Sequence, residues 1–438
     1  MIKTLFIGCG GSFKKPYKVH NNIVNSLKIY LTMKWFACVL FGLLMGNAHL
    51  LLKPHPDIDL SIGDLMAKYG YPLEKYTIET EDGYILTTFR IPHGKNSTVV
   101  GTPILFVPGT GGCSENFLIL GENDAIAYYL ADRGFDIWLM NQRGTTHSRK
   151  HKFLDATKDP EYWEFGWHEV GVYDIPSNID FILNVTKHEK LIYIGHSQGT
   201  TTYFVTTSDK PEYNEKIIVG VQFAMAMFLK DLHVPFMDFA GKYHREIQAI
   251  LKILNIRYIM PDNEEFLSSL KVFCGLENWT ADLCGKILNL LGAEDLSFYS
   301  FNNTFTPIIF RNAPAGASVR QLIHYFQMME TGEFTHYDYG PDKNLQVYNS
   351  VYPPLYDLSK CTAPVAIFEG KADFETTDEA RLKYFREIPN IIYYYQIKDD
   401  HFHHADFIWG NNVKELVNKP VYKFLKRMDK RYRRRLLN

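Results

Sequence analysis

The chain has 438 residues, of which 46% are hydrophobic and 22% are charged, and its formal net charge at pH 7 is -2. This composition excludes an intrinsically disordered chain and is sufficient for a large buried core. The near-neutral charge gives no electrostatic reason to expect a nucleic acid as partner.

The N-terminal region carries a targeting pattern. Met33 and Lys34 form a short basic start, residues 35–45 are apolar apart from Gly42, and residues 46–48 are small enough for a signal peptidase to cut. This pattern predicts a secretory signal peptide within an extension over residues 1–48, with translation starting at Met33. The alternative is a signal anchor with a basic cytoplasmic arm, although the apolar run is shorter than the ~20 residues of a spanning helix.

Cysteines and glycosylation triplets agree with an oxidising compartment. Cys274 and Cys284 are close enough in sequence to close a small loop, so we expect a disulfide between them. Cys113 and Cys361 receive no assignment. The N-x-S/T triplets, which predict glycosylation of a secreted protein, begin at Asn96, Asn184, Asn278 and Asn302.

Apolar runs bounded by turn residues predict alternating strands and helices. In chain order they are a helix over 61–69, strands over 76–81 and 84–91, a strand over 104–107, a helix over 125–133, a strand over 135–140, a helix over 173–185, a strand over 191–194, and strands over 365–368 and 391–396. Asp82-Gly83 is a hairpin signal between the first two strands. The alternation predicts an α/β class fold with a mainly parallel central sheet flanked by helices and begun by an antiparallel hairpin.

The alternation fails between residues 229 and 354. Residues 247–254 and 284–291 show helical apolar spacing instead, which predicts a helical insertion over the carboxyl ends of the strands, where α/β sites lie. An ordinary extra helical domain is the alternative. The core then comprises residues 57–228 and 355–420. Residues 421–438 form a basic C-terminal tail, for which a solvated end and attraction to anionic lipid are both open.

The pentapeptide Gly195-His196-Ser197-Gln198-Gly199 follows a strand pattern and precedes a helical one. In such a G-x-S-x-G elbow the serine stands on a strained turn that pushes its hydroxyl toward substrate. A serine hydroxyl is a poor nucleophile until a base takes its proton, and that base needs a third group to orient it. Ser197 therefore requires an acid and a histidine, which follow in that order in α/β hydrolases.

Acid and histidine candidates lie after the last two predicted strands. Asp373 follows the first of them, with Glu375 and Asp378 as spare candidates. The candidate histidines follow the second strand and are His401, His403 and His404. Instead of supplying a catalytic base, they could form a surface or metal-binding cluster.

No metal-ligand pattern stands out elsewhere in the sequence. His168-Glu169 lacks the second histidine of a zinc helix and is interpreted as structural. No cofactor is expected.

The oxyanion of acyl transfer needs two backbone N–H donors. One comes from Gln198, which follows the nucleophile, and the other from Thr110 in the loop after the third strand. A phosphate loop is disfavoured, because residues 108–112 lack the Lys and Ser/Thr ending.

This chain is similar to the acid lipases, a family of α/β hydrolases that includes gastric lipase and lysosomal acid lipase. The similarity rests on several short sequence motifs that occur in the same order. The likeness covers roughly residues 57–418, and its strings are EDGYIL at 81–86, NQRG at 141–144, YDIP at 173–176, IDFI at 179–182, GHSQGTT at 195–201 and HADFIW at 404–409. The resemblance implies Ser197 as nucleophile, Asp373 as the orienting acid and His404 as the base. It also implies that the insertion is a cap with a mobile lid above an apolar cleft.

Two loops depart from the family pattern. The family usually has His-Gly-Leu in the oxyanion loop, where this chain has Pro108-Gly109-Thr110. After the acid, the family tends toward Leu-Ala-Asp-Pro, where this chain has residues 374–378, FETTD. The first change preserves a backbone donor, and both changes alter the surroundings of the site.

The predicted function is a secreted or lysosomal lipase that hydrolyses carboxylic esters of neutral lipids, triacylglycerol or steryl ester, through a Ser-His-Asp triad and an acyl-enzyme. Its expected partner is a lipid ester at a lipid-water interface, with no stable protein partner. The alternative is a catalytically silent lipid-binding or storage protein on the same fold.

Overall fold

The computed structural model describes residues 56–232, 234–259 and 305–437. All of them belong to one unit of the chain, Lys53–Asn438, which is distinct from Met1–Leu52. The predicted signal peptide, the Cys274–Cys284 disulfide and the glycosylation triplets at Asn278 and Asn302 therefore lie outside the described residues.

A large mixed sheet forms the centre of the described chain. Its strands are β1 (Glu74–Glu79), β2 (Tyr84–Ile91), β3 (Pro103–Val107), β4 (Asp136–Met140), β5 (Lys150–His151), β6 (Leu191–His196), β7 (Ile217–Phe223), β10 (Val365–Glu369) and β11 (Ile391–Gln396), and a separate two-stranded sheet contains β8 (Tyr258–Ile259) and β9 (Ala317–Ser318). The strand order is β1-β2-β4-β3-β6-β7-β10-β11, with β5 paired to β2. Pairing is parallel from β4 to β11 and antiparallel at β1, β2 and β5.

Helices cover both faces of the sheet and fill the insertion. They are α1 (Ile62–Tyr69), α2 (Gly121–Asp124), α3 (Ile126–Ala131), α4 (Trp167–Glu169), α5 (Ile175–Thr186), α6 (Gln198–Asp209), α7 (Pro235–Lys242), α8 (His244–Ile253), α9 (Thr306–Asn312), α10 (Val319–Thr331), α11 (Pro341–Tyr348), α12 (Asp378–Glu387), α13 (Asp406–Trp409) and α14 (Lys419–Leu437). Single π-helical turns, Val170–Asp174 and Lys414–Asn418, precede α5 and α14.

The central strands are apolar on both faces because both faces are covered. Along β3, Phe106 belongs to the cluster under α1, α3 and α14, whereas Leu105 belongs to the opposite cluster with residues of α5 and α6. Continuous apolar runs of this kind are typical of parallel strands buried between two helical layers. The α/β fold with a mainly parallel, helix-flanked sheet is therefore confirmed.

The structure departs from the predicted elements in several places. Strand β7 was missed, although its residues are all buried and it pairs with β6 and β10. The first hairpin strand begins at Glu74 and ends at Glu79, earlier than predicted. The basic tail forms α14, in which Val421, Phe424 and Leu425 are buried in the core while the basic side chains, such as Lys426 and Arg427, are exposed.

The segment between β7 and β10 contains α7 to α11 and the small β8–β9 sheet in its described part. We refer to residues 229–354 as the cap. Cys113 and Cys361 are free and buried. Asn96 and Asn184 are exposed, so they are accessible to modification, and their glycosylation stays a prediction.

Candidate active site

Ser197 stands on a sharp turn between β6, which ends at His196, and α6, which begins at Gln198. Its backbone has φ 53° and ψ −120°, a conformation that a residue with a side chain rarely adopts. The flanking glycines make this turn sterically feasible: a Cβ on Gly195 would lie 2.6 Å from the oxygen of Gly199, and one on Gly199 would lie 2.3 Å from the oxygen of Val107. The sequence thus forms the strained elbow that exposes a serine hydroxyl.

Asp373 and His404 meet at the carboxyl ends of the neighbouring strands. Asp373 lies in the loop after β10 and His404 in the loop after β11, and His404 Nδ1 is 3.1 Å from Asp373 Oδ1. The Asp373 carboxylate is inaccessible to solvent, and the His404 side chain is 14% exposed. Since Nδ1 faces the acid, Nε2 is the nitrogen left for the serine. Ser197 and His404 line the same cavity.

The other candidates occupy different surroundings. His401 is exposed, and His403 Nδ1 lies 3.0 Å from the backbone oxygen of Ala372. Asp378 begins α12 and pairs with Arg381 at 2.5 Å. The structure therefore brings Asp373 to His404 alone among the three histidines. The catalytic roles of Ser197, Asp373 and His404 stay predictions of the sequence.

Glu375 adds a second carboxylate beside the imidazole. Its Oε2 lies 3.7 Å from His404 Nδ1, is buried, and has no hydrogen-bond partner among the described residues. Burial raises the pKa of Glu375 to about 7, aided by the charge of Asp373 and opposed by His404. Burial acts to lower the pKa of His404, but the charges of Glu375 and Asp373 and the hydrogen bond to Asp373 raise it to about 9.

Two backbone N–H groups are available for an oxyanion. Gln198 is the first residue of α6, so its N–H has no acceptor within the helix. The N–H of Thr110 makes no backbone hydrogen bond within the described chain. A Cβ on Gly109 would lie 2.9 Å from Ser197 Cβ, which shows how closely the loop after β3 approaches the serine. These positions agree with the donors expected from the sequence, whose function stays a prediction.

A chain of side-chain hydrogen bonds ties these donor loops together. Thr110 Oγ1 donates to Gln198 Oε1 at 2.9 Å, and Gln198 Nε2 donates to Gln142 Oε1 at 2.6 Å. Gln142 Nε2 then donates to the backbone oxygen of Pro108 at 2.6 Å. Sequence reasoning missed Gln142, whose only signal was its place in the NQRG string after β4.

The residue after Gln142 anchors this loop through a buried ion triad. The Arg143 guanidinium is inaccessible and contacts Asp174 Oδ1 at 2.7 Å and Asp82 Oδ2 at 2.5 Å. Its backbone N–H also donates to Asp174 Oδ2 at 2.9 Å. The three charged residues belong to three of the sequence strings named above, EDGYIL, NQRG and YDIP, so the fold brings these strings into contact.

A cavity of about 290 Å³ opens above Ser197. Its wall on the cap side comes from α7 and α10, which contribute Met237, Leu322, Tyr325, Phe326 and Met329. The core contributes the donor loop, the elbow and the loop of His404. An apolar cavity of this kind is suited to the hydrocarbon part of a ligand.

The fold and this site define an α/β hydrolase with a serine elbow. Comparison with known families agrees: residues 102–219 match the family described as alpha/beta hydrolase fold, and residues 62–121 match the partial alpha/beta-hydrolase lipase region.

Curated relatives cover most of the chain. Lipase 1 of Drosophila melanogaster is 34% identical over 369 residues, 84% of this chain and 80% of that protein. Mouse gastric triacylglycerol lipase is 33% identical, covering 86% of this chain and 95% of its own length. Human lysosomal acid lipase/cholesteryl ester hydrolase is 32% identical, covering 86% and 93%.

The chain belongs to the lipase family that includes gastric lipase and lysosomal acid lipase, as the sequence strings predicted. It is accordingly a carboxylic ester hydrolase. Within the described residues, no helix is both long and apolar enough to cross a membrane.

Proposed function

We propose that this protein is a secreted or lysosomal lipase that hydrolyses carboxylic esters of neutral lipids, triacylglycerol or steryl ester. The observation that carries the proposal is an apolar cavity that both Ser197 and His404 line, with His404 Nδ1 held by Asp373. Relatives named as gastric triacylglycerol lipase and lysosomal acid lipase/cholesteryl ester hydrolase support the substrate class and the compartment.

The geometry suits acyl transfer in two half-reactions. His404 takes the Ser197 proton through Nε2 while Asp373 stabilises the imidazolium at Nδ1. The serine oxygen attacks the ester carbonyl, and the N–H groups of Gln198 and Thr110 donate to the oxyanion. His404 then protonates the departing alcohol or diacylglycerol. In the second half-reaction a water molecule gives its proton to His404 and attacks the acyl-enzyme; the acyl–oxygen bond then breaks, His404 returns the proton to Ser197, and the fatty acid is released.

The cap also offers an apolar outer surface for a lipid-water interface. On α7, Met237 lines the cavity whereas Phe236 and Phe239 are 61% and 54% exposed. On and after α8, Ile253 and Leu254 are 82% and 61% exposed. Exposed large apolar side chains that cluster on a surface mark interaction sites. They support adsorption of the cap to lipid, with the cavity on the inner side of the same helix.

Hydrolysis of emulsified trioleoylglycerol and cholesteryl oleate tests the proposal. We expect release of oleate from at least one ester across an acidic to neutral pH series, and loss of that activity in Ser197→Ala. Ser177→Ala, at a partly buried position on α5, is the matched control and should retain activity. Binding of both lipids with no hydrolysis by the wild type would support the lipid-carrier alternative and contradict the proposal.

A further inference from the structure

His168, interpreted as structural from the sequence, has two partners that are distant along the chain. It lies in α4, Asp209 ends α6, and His336 lies in the cap between α10 and α11. One potential ligand atom from each residue lies within 4.8 Å of those of the other two. Two imidazoles and one carboxylate form a donor set that zinc commonly takes.

The distances and exposure fit a partly open site. His336 Nε2 is 2.9 Å from Asp209 Oδ2, and His168 Nδ1 is 3.9 Å from the same oxygen. Ligands around tetrahedral Zn²⁺ are about 3.4 Å apart, given metal-ligand distances near 2.1 Å. The three side chains are 16% to 28% exposed, which gives a metal ion access and leaves room for water as a fourth ligand.

The hydrogen bonds around His336 are those of a metal-binding histidine. Its Nδ1 lies 3.1 Å from the backbone oxygen of Pro354, so Nδ1–H donates outward while Nε2 faces the carboxylate. A histidine ligand almost always donates its other ring N–H to a carbonyl or carboxylate, which fixes the ring. Tyr356 stacks on this ring with centroids 4.0 Å apart and holds it in place.

We propose that His168, Asp209 and His336 bind a divalent transition-metal ion of the Zn²⁺ class, which joins the cap to the core. His336 belongs to the cap, whereas the other two ligands belong to the core, so the ion cross-links the two parts of the chain. The site is separate from the cavity of Ser197, and a protein without ester hydrolase activity would still bind the metal. Failure of the metal-site proposal is thus distinguishable from failure of the proposed function.

Tyr356 provides an internal test of which atom binds. Its hydroxyl lies 2.8 Å from His168 Nδ1 and competes with a metal ion for that nitrogen. Tyr356→Phe keeps the stacked ring and removes the competing hydroxyl. This variant should therefore bind Zn²⁺ at least as tightly as the wild type, whereas a simple hydrogen-bond network would give no Zn²⁺ binding in either protein.

Titration of the untagged, chelator-treated full chain with Zn²⁺ by calorimetry, together with its melting temperature, tests the site. We expect one Zn²⁺ per chain and a rise in melting temperature, because an ion that binds only the folded state stabilises it. His336→Gln and Asp209→Asn should weaken binding by at least the 10- to 100-fold that loss of an outer-shell partner costs at known metal sites.

His188→Gln is the control, because His188 is a partly buried histidine whose contacts are with Thr186. It should bind Zn²⁺ like the wild type. Asp209→Asn changes an accessible side chain, so it provides the test of metal binding if His336→Gln fails to fold. Absence of saturable 1:1 binding, or equal binding by wild type and Asp209→Asn, would overturn the proposal.

Discussion

Glu375 makes the surroundings of His404 unlike those of a triad with one carboxylate. The loop holds Asp373 against Nδ1 at 3.1 Å and Glu375 at 3.7 Å from the same nitrogen. Both negative charges favour the imidazolium, and they raise the pKa of His404 to about 9 against the effect of burial. Since only the neutral imidazole takes the serine proton, the charge on Glu375 affects how activity depends on pH.

We predict that Glu375→Gln extends activity to lower pH. Removing a negative charge within about 4 Å of the imidazole lowers the pKa of His404, because the imidazolium loses a stabilising partner. The acidic limb of the kcat/KM profile should shift downward by about one pH unit, measured with a soluble p-nitrophenyl ester.

Glu379→Gln is the matched control, because Glu379 is exposed in the same helix that follows the loop. Its profile should coincide with that of the wild type. An acidic limb that stays in place or shifts upward in Glu375→Gln would contradict this account of the loop.

The Thr110 hydroxyl positions the donor loops through its bond to Gln198 Oε1. Thr110→Val removes that bond at nearly constant volume and leaves a buried amide oxygen unpaired, which costs about 1–3 kcal/mol. We expect kcat to fall by about tenfold with little change in KM, because the loss is felt at the oxyanion. Thr110→Ser keeps the hydroxyl and should restore kcat; equal losses in both variants would contradict the positioning role.

At the scale of elements, the Asp82–Arg143–Asp174 triad joins the β1–β2 turn, the loop after β4 and the turn before α5. Arg143 and Asp174 are completely inaccessible, and the guanidinium also lies 4.0 Å from the ring centroid of Tyr84. The Arg143 side chain thus fixes the loop that carries Gln142 toward Pro108 and Gln198. The donor loops depend on an ion cluster that does not line the cavity of Ser197.

We predict that Arg143→Met lowers the free energy of unfolding by about 3–5 kcal/mol, because it leaves the buried Asp174 carboxylate without its partner. Lys95→Met, which breaks the partly exposed pair with Glu122, should cost much less, because exposed ion pairs contribute little. Urea unfolding of the three proteins measures both values. Similar losses in the two variants would contradict a structural role specific to the buried triad.

Most helices and strands were predictable because their sequence pattern of apolar residues matches the way the fold buries them. The strand before Ser197 and the strand before Asp373 are continuous apolar runs, and burial on both faces requires that pattern. Strand β7 was missed because Gly220 and Gln222 interrupt its apolar run. The reason for Gly220 is tertiary: a Cβ there would lie 2.4 Å from the ring of Tyr203.

At the scale of the whole molecule, the cap and the core together form the reaction chamber. The order Ser, Asp, His in the sequence placed Ser197, Asp373 and three candidate histidines after β6, β10 and β11, strands of one sheet, and the family resemblance singled out His404. Gln142 and the His168–Asp209–His336 group could not be predicted, because their partners are brought together only by the fold. Glu375 was visible as a spare acid, but its unpaired oxygen beside the imidazole was not.

The exposed apolar side chains of the cap lead to a prediction for lipid interfaces. Phe239→Asp combined with Ile253→Asp should lower hydrolysis of emulsified trioleoylglycerol by about tenfold or more, since each side chain contributes about 1.5–3 kcal/mol when buried. Hydrolysis of soluble p-nitrophenyl butyrate should be unchanged. Phe153→Asp, at an 84% exposed position outside the cap, is the control and should leave both activities intact.

The central claim is that Ser197 is an activated nucleophile, and reaction with a fluorophosphonate tests it most directly. Mass spectrometry of the labelled, digested protein should locate one phosphonyl adduct on the peptide that contains Ser197. His404→Ala should react far more slowly, because the serine loses its base. Absence of labelling in the wild type, or labelling that persists in Ser197→Ala, would contradict the account.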